Sequence, residues 1–328
     1  MTREVLIIGG GVAGLSAAIV LLEAGYTVQV AARELGEATT SAVAAAFWYP
    51  YRAYPEDQVT RLAAASLRRF TQLEGDPTTG VLQRDALEIY PTATPAPAWS
   101  SAAADFHDAE PALLPPGYLA GHRFRTAVVE TSIYLPWLAD RVRALGGQIH
   151  QRTIPSLDAA LGECPRVINC AGLGARTLVD DPLLYPVRGQ VVRVENPGQL
   201  TRVWIDEHSG RGITYIVPRS RDVVLGGSSH DHEEDRSPDP ALTREIVARC
   251  AALEPSLASA RILSVAVGLR PARSPLRLAA ELHTSPPTHN SPAPGLVIHN
   301  YGHGGAGVTL SWGCAEAVRD LLHAHEPA

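Results

Sequence analysis

The N-terminus runs Glu4-Val5-Leu6-Ile7-Ile8-Gly9-Gly10-Gly11-Val12-Ala13-Gly14-Leu15 and continues "SAAIVLLEAGYTVQVAARE" to Glu34. Glu4–Ile8 is a short apolar run of the kind a buried parallel strand carries. Gly9, Gly11 and Gly14 then make G-x-G-x-x-G. Ala13–Ala24 is built of helix formers, Gly25 stops the helix, and Thr27–Ala31 predicts a second strand. A glycine triplet by itself is weak. Between a strand and a helix, in a βαβ unit of this length, it is a dinucleotide-binding signature. Glycine lets the backbone approach a pyrophosphate, which the free N–H groups and dipole of the helix N-terminus then hold. A tight turn without a ligand is the blander reading, and this context disfavours it. One expected part is missing. An acidic residue usually ends the second strand and binds the ribose, but Ala32 stands there, followed by Arg33 and Glu34. Arg33 reads either as a binder of a 2′-phosphate or as a solvated charge, and the local sequence leaves both open.

Near the other end, residues 299–315 read "HNYGHGGAGVTLSWGCA", with glycine at 302, 304, 305 and 307. Ordering glycine is entropically costly, so such a run implies a sharp bend or a close approach to the backbone. It lies between a predicted strand (Gly295–Asn300) and a predicted helix (Val308–His325). The chain between the two glycine motifs predicts a helix over Pro55–Glu74 and strands over Val81–Tyr90 and His122–Val129. A helix over Ser132–Leu145 and strands over Gln148–Ile154 and Arg166–Cys170 follow. "GITYIVPRSRDVVLGG" reads as two strands around a Pro218–Ser220 turn. Pro240–Leu253 predicts a helix and Ser264–Leu269 a strand. The nucleotide signals are split: the N-terminal fingerprint, "NCAGLGA" at 169–175, and the terminal glycine run, with β-rich segments between. That interleaving predicts one nucleotide-binding domain assembled from separated pieces and a second, antiparallel domain inserted into it.

Seven motifs in this order carry a resemblance over nearly the whole chain: "VLIIGGGVAGLSAA", "VAAAFWYPY" (43–51), "VINCAGLGA" (167–175), "RGQVVRV" (188–194), "YIVPRSRDVVLGG" (215–227), "VGLRPAR" (267–273) and the terminal glycine motif. Together they resemble the D-amino-acid oxidase family of flavoproteins. D-aspartate oxidases are near relatives, and glycine and sarcosine oxidases share the fold at a greater distance. The resemblance implies an α/β plus α+β fold. A Rossmann-type FAD-binding domain (1–75, 140–187 and 268–328) would interleave with an antiparallel-sheet substrate domain (76–139 and 188–267). It implies FAD, held non-covalently, since the sequence around Cys314 does not match enzymes that attach flavin covalently. A buried helix cysteine is the reading for Cys314. The cofactor residues it implies are Gly9, Gly11, Val12, Ala13 and Gly14; Arg33, Glu34, Thr40, Ser41, Ala45 and Ala46; Ile154, Ala171 and Gly172; Arg270; and Gly302, Gly304, Gly305, Gly307, Val308 and Thr309. The glycine loop would pass beside the flavin ring, with the following helix pointing its N-terminus at it. Glu34 or backbone would serve the ribose.

An amino-acid oxidase must hold an α-carboxylate, and planar bidentate recognition of a carboxylate calls for arginine. Arg270 in "VGLRPAR" is such a candidate. From the residues alone a structural ion pair is an equal reading, and the resemblance favours carboxylate binding. Tyr215 matches a family tyrosine that gives the carboxylate a second contact, although a strand tyrosine taken alone is more often packing. Gly305 falls where a family carbonyl accepts from the substrate amine. Tyr49 and Tyr51 fall near the pocket, and Tyr49 is expected to narrow it. "GRGITYIVP" leaves no room for the usual lid tyrosine, so the lid should be short or absent. Ser229 stands where D-aspartate oxidases carry an arginine for a second carboxylate. Neutral D-amino acids are therefore expected over D-aspartate, with Arg211 or Arg219 as the cations able to replace the absent one. Arg188 and Gln190 read as scaffold.

The 328 residues, net charge −6 and absence of a basic block speak against nucleic acid as a partner. Four scattered cysteines make no disulfide framework. With no signal-peptide pattern and no spanning apolar stretch, a cytoplasmic enzyme, with a homodimer admitted, is the expectation. "HDHEEDRSPD" (230–239) holds two histidines but reads as a solvated loop, and no metal is expected. The resemblance implies oxidative deamination of D-amino acids by molecular oxygen, giving 2-oxo acids, ammonia and hydrogen peroxide. The alternatives are a glycine-, sarcosine- or pathway-specific amine oxidase, or a catalytically silent flavin-binding protein.

Overall fold

The computed structural model describes residues 3–51, 53–283 and 295–326. Strand β1 (Glu4–Ile8) leads into helix α1 (Val12–Glu23) and β2 (Thr27–Ala32), then into the single turn α2 (Thr40–Val43) and helix α3 (Glu56–Leu73). Next come β3 (Val81–Tyr90), β4 (Ala104–Asp108), β5 (Ala120–Val129), α4 (Thr131–Ala144), β6 (Gln148–Gln151), α5 (Leu157–Glu163), β7 (Arg166–Asn169) and α6 (Ala175–Leu178). Strands β8 (Tyr185–Glu195), β9 (Val203–Asp206), β10 (Thr214–Pro218), β11 (Asp222–Gly226) and β12 (His230–Asp231) precede α7 (Pro240–Leu253). Strands β13 (Ile262–His283) and β14 (Gly295–His303) and helix α8 (Gly307–Ala324) close the fold.

One sheet runs through the molecule. Its parallel part is β14-β7-β1-β2-β6. Both faces of this part are covered, so β1 is apolar almost throughout (Val5–Ile8 are buried) rather than alternating. Helix α1 is likewise buried on nearly every side, from Val12 through Val20 and Leu21, because it packs against both α8 and α4. The rest of the sheet, in the order β4-β5-β3-β9-β10-β11-β8-β13, is antiparallel except where β3 runs parallel to β9. Strand β13 joins the two parts. Its first half pairs with β8 and its second half with β14. The expected domain limits at 187/188 and 267/268 therefore fall inside β8 and β13, within continuous strands.

Most elements follow local chemistry. Asp239 caps α7 by accepting from the N–H groups of Ala241 (2.7 Å) and Leu242 (3.3 Å), with Pro240 at the first position, where its missing N–H costs nothing. Differences from expectation come from pairing. β6 stops at Gln151, not Ile154, because its partner β2 ends at Ala32. β14 carries on to His303 because Tyr301 and His303 still find partners on β13. β13 outruns the expected Ser264–Leu269 because a register shift between Ala272 and Arg277 takes Pro275 off the ladder. β4 and β9 had no turn signals to mark them and were not expected.

Helix α8 lies against α3 so closely that a Cβ at Gly313 would overlap the Leu62 carbonyl, and the Gly313 N–H donates to Ser66 Oγ at 2.9 Å. Overpacking of this kind costs about 1–3 kcal/mol. Gly313→Ala is expected to lower the thermal midpoint by about 2–12 °C, on a scale of about 2–4 °C per kcal/mol. Gly162→Ala, in the open at α5, should not lower it. Scanning calorimetry of the two variants checks this, and an unchanged midpoint in Gly313→Ala would mean the helices separate freely.

Candidate active site

A cavity of about 460 Å³ runs between the ends of the parallel strands and the antiparallel part of the sheet. Its inner end is the β1–α1 turn. Gly9 has φ +124°, and a Cβ there would overlap the Cys170 carbonyl. The N-terminus of α1 has no side-chain cap within the helix and no acidic residue in its first turn. The Val12 N–H donates to Ser41 Oγ at 3.0 Å, which ties α2 to this turn. A second helix, α8, also opens at the cavity without a side-chain cap or a first-turn acid. Two helix N-termini left without local anions form a cradle for negative charge.

Of the cofactor residues expected from sequence, Gly9, Gly11, Val12, Ala13, Arg33, Glu34, Thr40, Ser41, Ala45, Ala46, Ile154, Ala171, Gly172, Arg270, Gly304, Gly305, Gly307, Val308 and Thr309 line this cavity. Gly14 and Gly302 do not. Gly14 lets α1 pack on the first strand, since a Cβ there would overlap the Gly9 carbonyl. Gly302, at φ +83°, yields instead to Arg273 Cβ at 2.7 Å. Arg33 pairs with Glu34 at 3.4 Å in an exposed position. The Thr309 hydroxyl is committed to the Tyr49 peptide, donating to its carbonyl (2.9 Å) and accepting from its N–H (3.1 Å), so Thr309 offers only backbone. The terminal glycine run thus serves side chains as well as the cavity. Gly305 is exposed to it, and a Cβ there would overlap the Tyr51 ring.

Two side chains on facing strands define the chemical end. Arg270 leaves β13 beside Val187 of β8, and Nη1 donates to the Ser228 carbonyl at 2.9 Å. Its guanidinium fills the place where a Cβ at Gly189 would stand. Among the described residues no carboxylate pairs with it, so the structural ion-pair reading has no partner. Tyr215, on β10, occupies the space left by Gly226 at the end of β11 and by Gly227 just after it, where Cβ atoms would collide with its ring. Burial pushes its phenol above the ordinary tyrosine value and the Arg270 charge opposes this, so Tyr215 stays a neutral donor at working pH.

Beyond Tyr215 the wall is aromatic. Phe47 lies 6.0 Å from the Tyr215 ring and 5.7 Å from Tyr49, and Tyr51 lies alongside. The Tyr49 hydroxyl donates to Glu88 Oε1 at 2.7 Å, so its ring narrows the cavity while its polar tip is occupied. The connection 207–213 between β9 and β10 is short, and Glu207 and Ile213 on it line the cavity.

Several expectations change here. Ser229 is not in the cavity wall. Strand β12 carries the chain after Ser228 outward along β8. Arg219 cannot swing in, because it is buried in a pair with Asp222 (2.6 and 2.8 Å). Arg211 is exposed and does not line the cavity. The cations in the wall that the sequence did not point to are Arg152, paired with Glu163 (2.9 and 2.5 Å), and Arg236. The Arg236 loop is gripped by Arg188, which donates to the carbonyls of Asp235 (2.7 Å) and Ser237 (2.6 Å), and by the Arg176–Glu234 pair. Arg188 and Gln190 are scaffold, as expected. His230 pairs with Glu233 and His232 stacks on Tyr185, and among the described residues no group of ligands could hold a metal. Glu207 and Arg236 had no local signal, because both sit in loops whose course is set by distant partners.

The family model for FAD dependent oxidoreductases matches residues 4–321. A D-amino-acid oxidase of Rubrobacter xylanophilus is 47% identical over 99% of this chain and 97% of its own length. The chain belongs to the D-amino-acid oxidase family of FAD-dependent oxidoreductases. Human D-aspartate oxidase is 35% identical over 98% of this chain and 96% of its own length. The crystal structure of glycine oxidase from Bacillus cereus superimposes with a TM-score of 0.76, covering 99% of this chain and 96% of that one, at 19% identity, and shows the shared fold. The residues present fit the family's cofactor: helix N-termini without a first-turn acid suit a diphosphate, and the exposed backbone at Gly305 suits a flat ring edge.

Electrostatics add a constraint on the cavity floor. His303 lines the cavity yet is buried, with Nε2 donating to Asn300 Oδ1 at 2.9 Å. Burial lowers its pKa to about 4. His299 also falls to about 4, burial outweighing its pairing with Glu281. Between about pH 6.5 and 4 the unfolded chain binds protons that the folded chain refuses, so stability is lost as pH falls through that window. For His303 the loss amounts to about 3 kcal/mol at about 1.36 kcal/mol per pKa unit. Urea denaturation of His303→Asn at pH 7.5 and 5.0 should show a smaller acid loss than the parent, though His299 preserves part of it. An unchanged acid loss would mean that His303 takes up its proton while folded.

Proposed function

We propose that this chain oxidises D-amino acids with FAD as its non-covalent cofactor, and that Arg270 and Tyr215 hold the substrate carboxylate. The supporting observation is Arg270 itself: a cation in the cavity wall, facing a half-buried tyrosine, with no carboxylate among the described residues to neutralise it. One donor is fixed on the Ser228 carbonyl, which aims the rest of the guanidinium fork at a carboxylate. Tyr215 donates to the second oxygen. The Gly305 carbonyl accepts from the substrate amine, which must be neutral for its Cα–H to leave as hydride. With carboxylate and amine both held, only one enantiomer turns its Cα–H toward the cofactor, and the family relation assigns the D-form. Bound in this cavity, FAD would supply the hydride acceptor and the route for the electrons to oxygen, with hydrogen peroxide as the product. The protein contributes orientation, exclusion of water by the aromatic wall, and the positive ends of α1 and α8.

The nineteen-residue set lining the cavity is proposed to contact FAD, with α1 and Ser41 at the diphosphate and α8 at the ring. The parallel part of the sheet is read as the cofactor unit and the antiparallel part as the substrate unit. We read the cytoplasm as its compartment: all four cysteines are free and buried, and among the described residues no helix is long and apolar enough to cross a membrane. With Ser229 out of the wall and Arg219 locked, a second substrate carboxylate meets no cation among the described residues of the aromatic wall, and stranding it there is costly. Neutral D-amino acids are therefore preferred over D-aspartate.

Removing one partner of such a charge pair costs about 2–5 kcal/mol. Arg270→Ala should lose orders of magnitude in kcat/KM for a neutral D-amino acid while still binding FAD. Tyr215→Phe should lose less, about 1.5–3 kcal/mol for one hydrogen bond to a charge. Oxygen-uptake kinetics of both purified holoenzymes decide it. Near-normal turnover in Arg270→Ala would refute the assignment.

A further inference from the structure

Two carboxylates stand in the cavity wall among the described residues. Glu34 is at the end of β2, beside Arg33. Glu207 is at the opposite end, on the short connection that shares the wall with Ile213 and Tyr215. From Arg270 the wall runs outward through Tyr215, Phe47 and Tyr49, in ring-to-ring steps of 6.0 and 5.7 Å. A substrate whose carboxylate sits on Arg270 lays its side chain along these rings. The path ends in negative charge. Behind Tyr49, Glu88 is buried, accepts the Tyr49 hydroxyl at 2.7 Å, and has a second carboxylate oxygen, Oε2, with no hydrogen-bond partner. His208, on the same connection and half exposed, pairs with Glu88 at 3.6 Å, which raises its pKa, while Arg211 is exposed. Arg236 belongs to the loop pinned on the α6 side by Arg176–Glu234.

We propose that this acidic end recognises a cationic substrate side chain, with Glu207 as the specificity residue for long basic D-amino acids such as D-lysine and D-arginine. The proposal rests on Arg270 holding the α-carboxylate. Electrostatics support it independently: after burial, the charges of Glu207 and then Glu88 push the Tyr49 phenol up, so the negative field reaches the ring that lines the path. An ammonium or guanidinium carried over Phe47 and Tyr49 gains from the ring faces on the way and from the carboxylate at the end. A neutral side chain of the same length gains only the apolar contact.

The test compares kcat/KM for D-lysine, D-arginine and D-norleucine in the FAD-loaded parent and in Glu207→Gln, with flavin absorbance confirming cofactor content. D-Norleucine has the length of lysine without the charge. The parent should favour D-lysine, and Glu207→Gln should lower the D-lysine to D-norleucine ratio by about tenfold, the size of about 1.4 kcal/mol. Glu207→Asp should restore part of that ratio. A ratio that does not move in Glu207→Gln overturns the proposal. If the parent oxidises neither basic substrate but does oxidise D-norleucine, the acidic end is wrong while the oxidase reading stands. If it oxidises none of the three, the oxidase reading fails and the proposal with it.

Discussion

The Arg270 guanidinium lies over Gly189 of the neighbouring strand, in the volume that any other residue would fill with a Cβ, and one of its donors is fixed on the Ser228 carbonyl. A second vacated volume, at Gly226 and Gly227, holds the Tyr215 ring. Two strands, β8 and β11, have thus given up side chains so that two others can stand at the cavity. A bulky side chain can be buried against a sheet only where the facing strand leaves room, so the positions of Arg270 and Tyr215 are set by three glycines, of which Gly189 also lines the cavity.

That lodging also explains the path of the sheet. Strand β13 must pair with β8 to bring Arg270 over Gly189, and with β14 to reach the terminal glycine loop and α8. One strand therefore fixes Arg270 relative to the terminal glycine loop and the start of α8. The cost is a register shift between Ala272 and Arg277, and the network around Asp181 reinforces the bend. There Arg273 donates to Asp181 at 2.8 Å and the Tyr301 hydroxyl donates to it at 2.7 Å. Hydrogen bonds from several directions hold the Asp181 carboxyl below its ordinary pKa against the opposing effect of burial.

What the sequence made legible was whatever is determined locally. Gly9, Gly11 and the α1 start were readable because strand, turn and helix are adjacent in the chain. Pro240–Leu253 was readable because Asp239 and Pro240 mark its start. β4 and β9 were not, because a strand's existence there depends on neighbours far along the chain. Gly14 and Gly302 show the limit of motif reading: both belong to glycine signatures, yet one serves helix packing and the other makes room for Arg273. Ser229, Glu207 and Arg236 show it again. Which loop residue faces the cavity follows from Arg188 gripping residues 235 and 237, and from β12 turning outward, neither of which leaves a local pattern.

The central claim is that the empty volume at Gly189 places Arg270 for carboxylate binding. Gly189→Ala tests it directly, because the atoms displaced belong to the far end of a flexible side chain and the fold should survive. Flavin content and thermal midpoint should stay close to the parent, while kcat/KM for a neutral D-amino acid falls by at least about tenfold, or about 1.4 kcal/mol, with KM rising. A Gly189→Ala enzyme that keeps its FAD and turns over a neutral D-amino acid with unchanged KM and kcat would contradict the account.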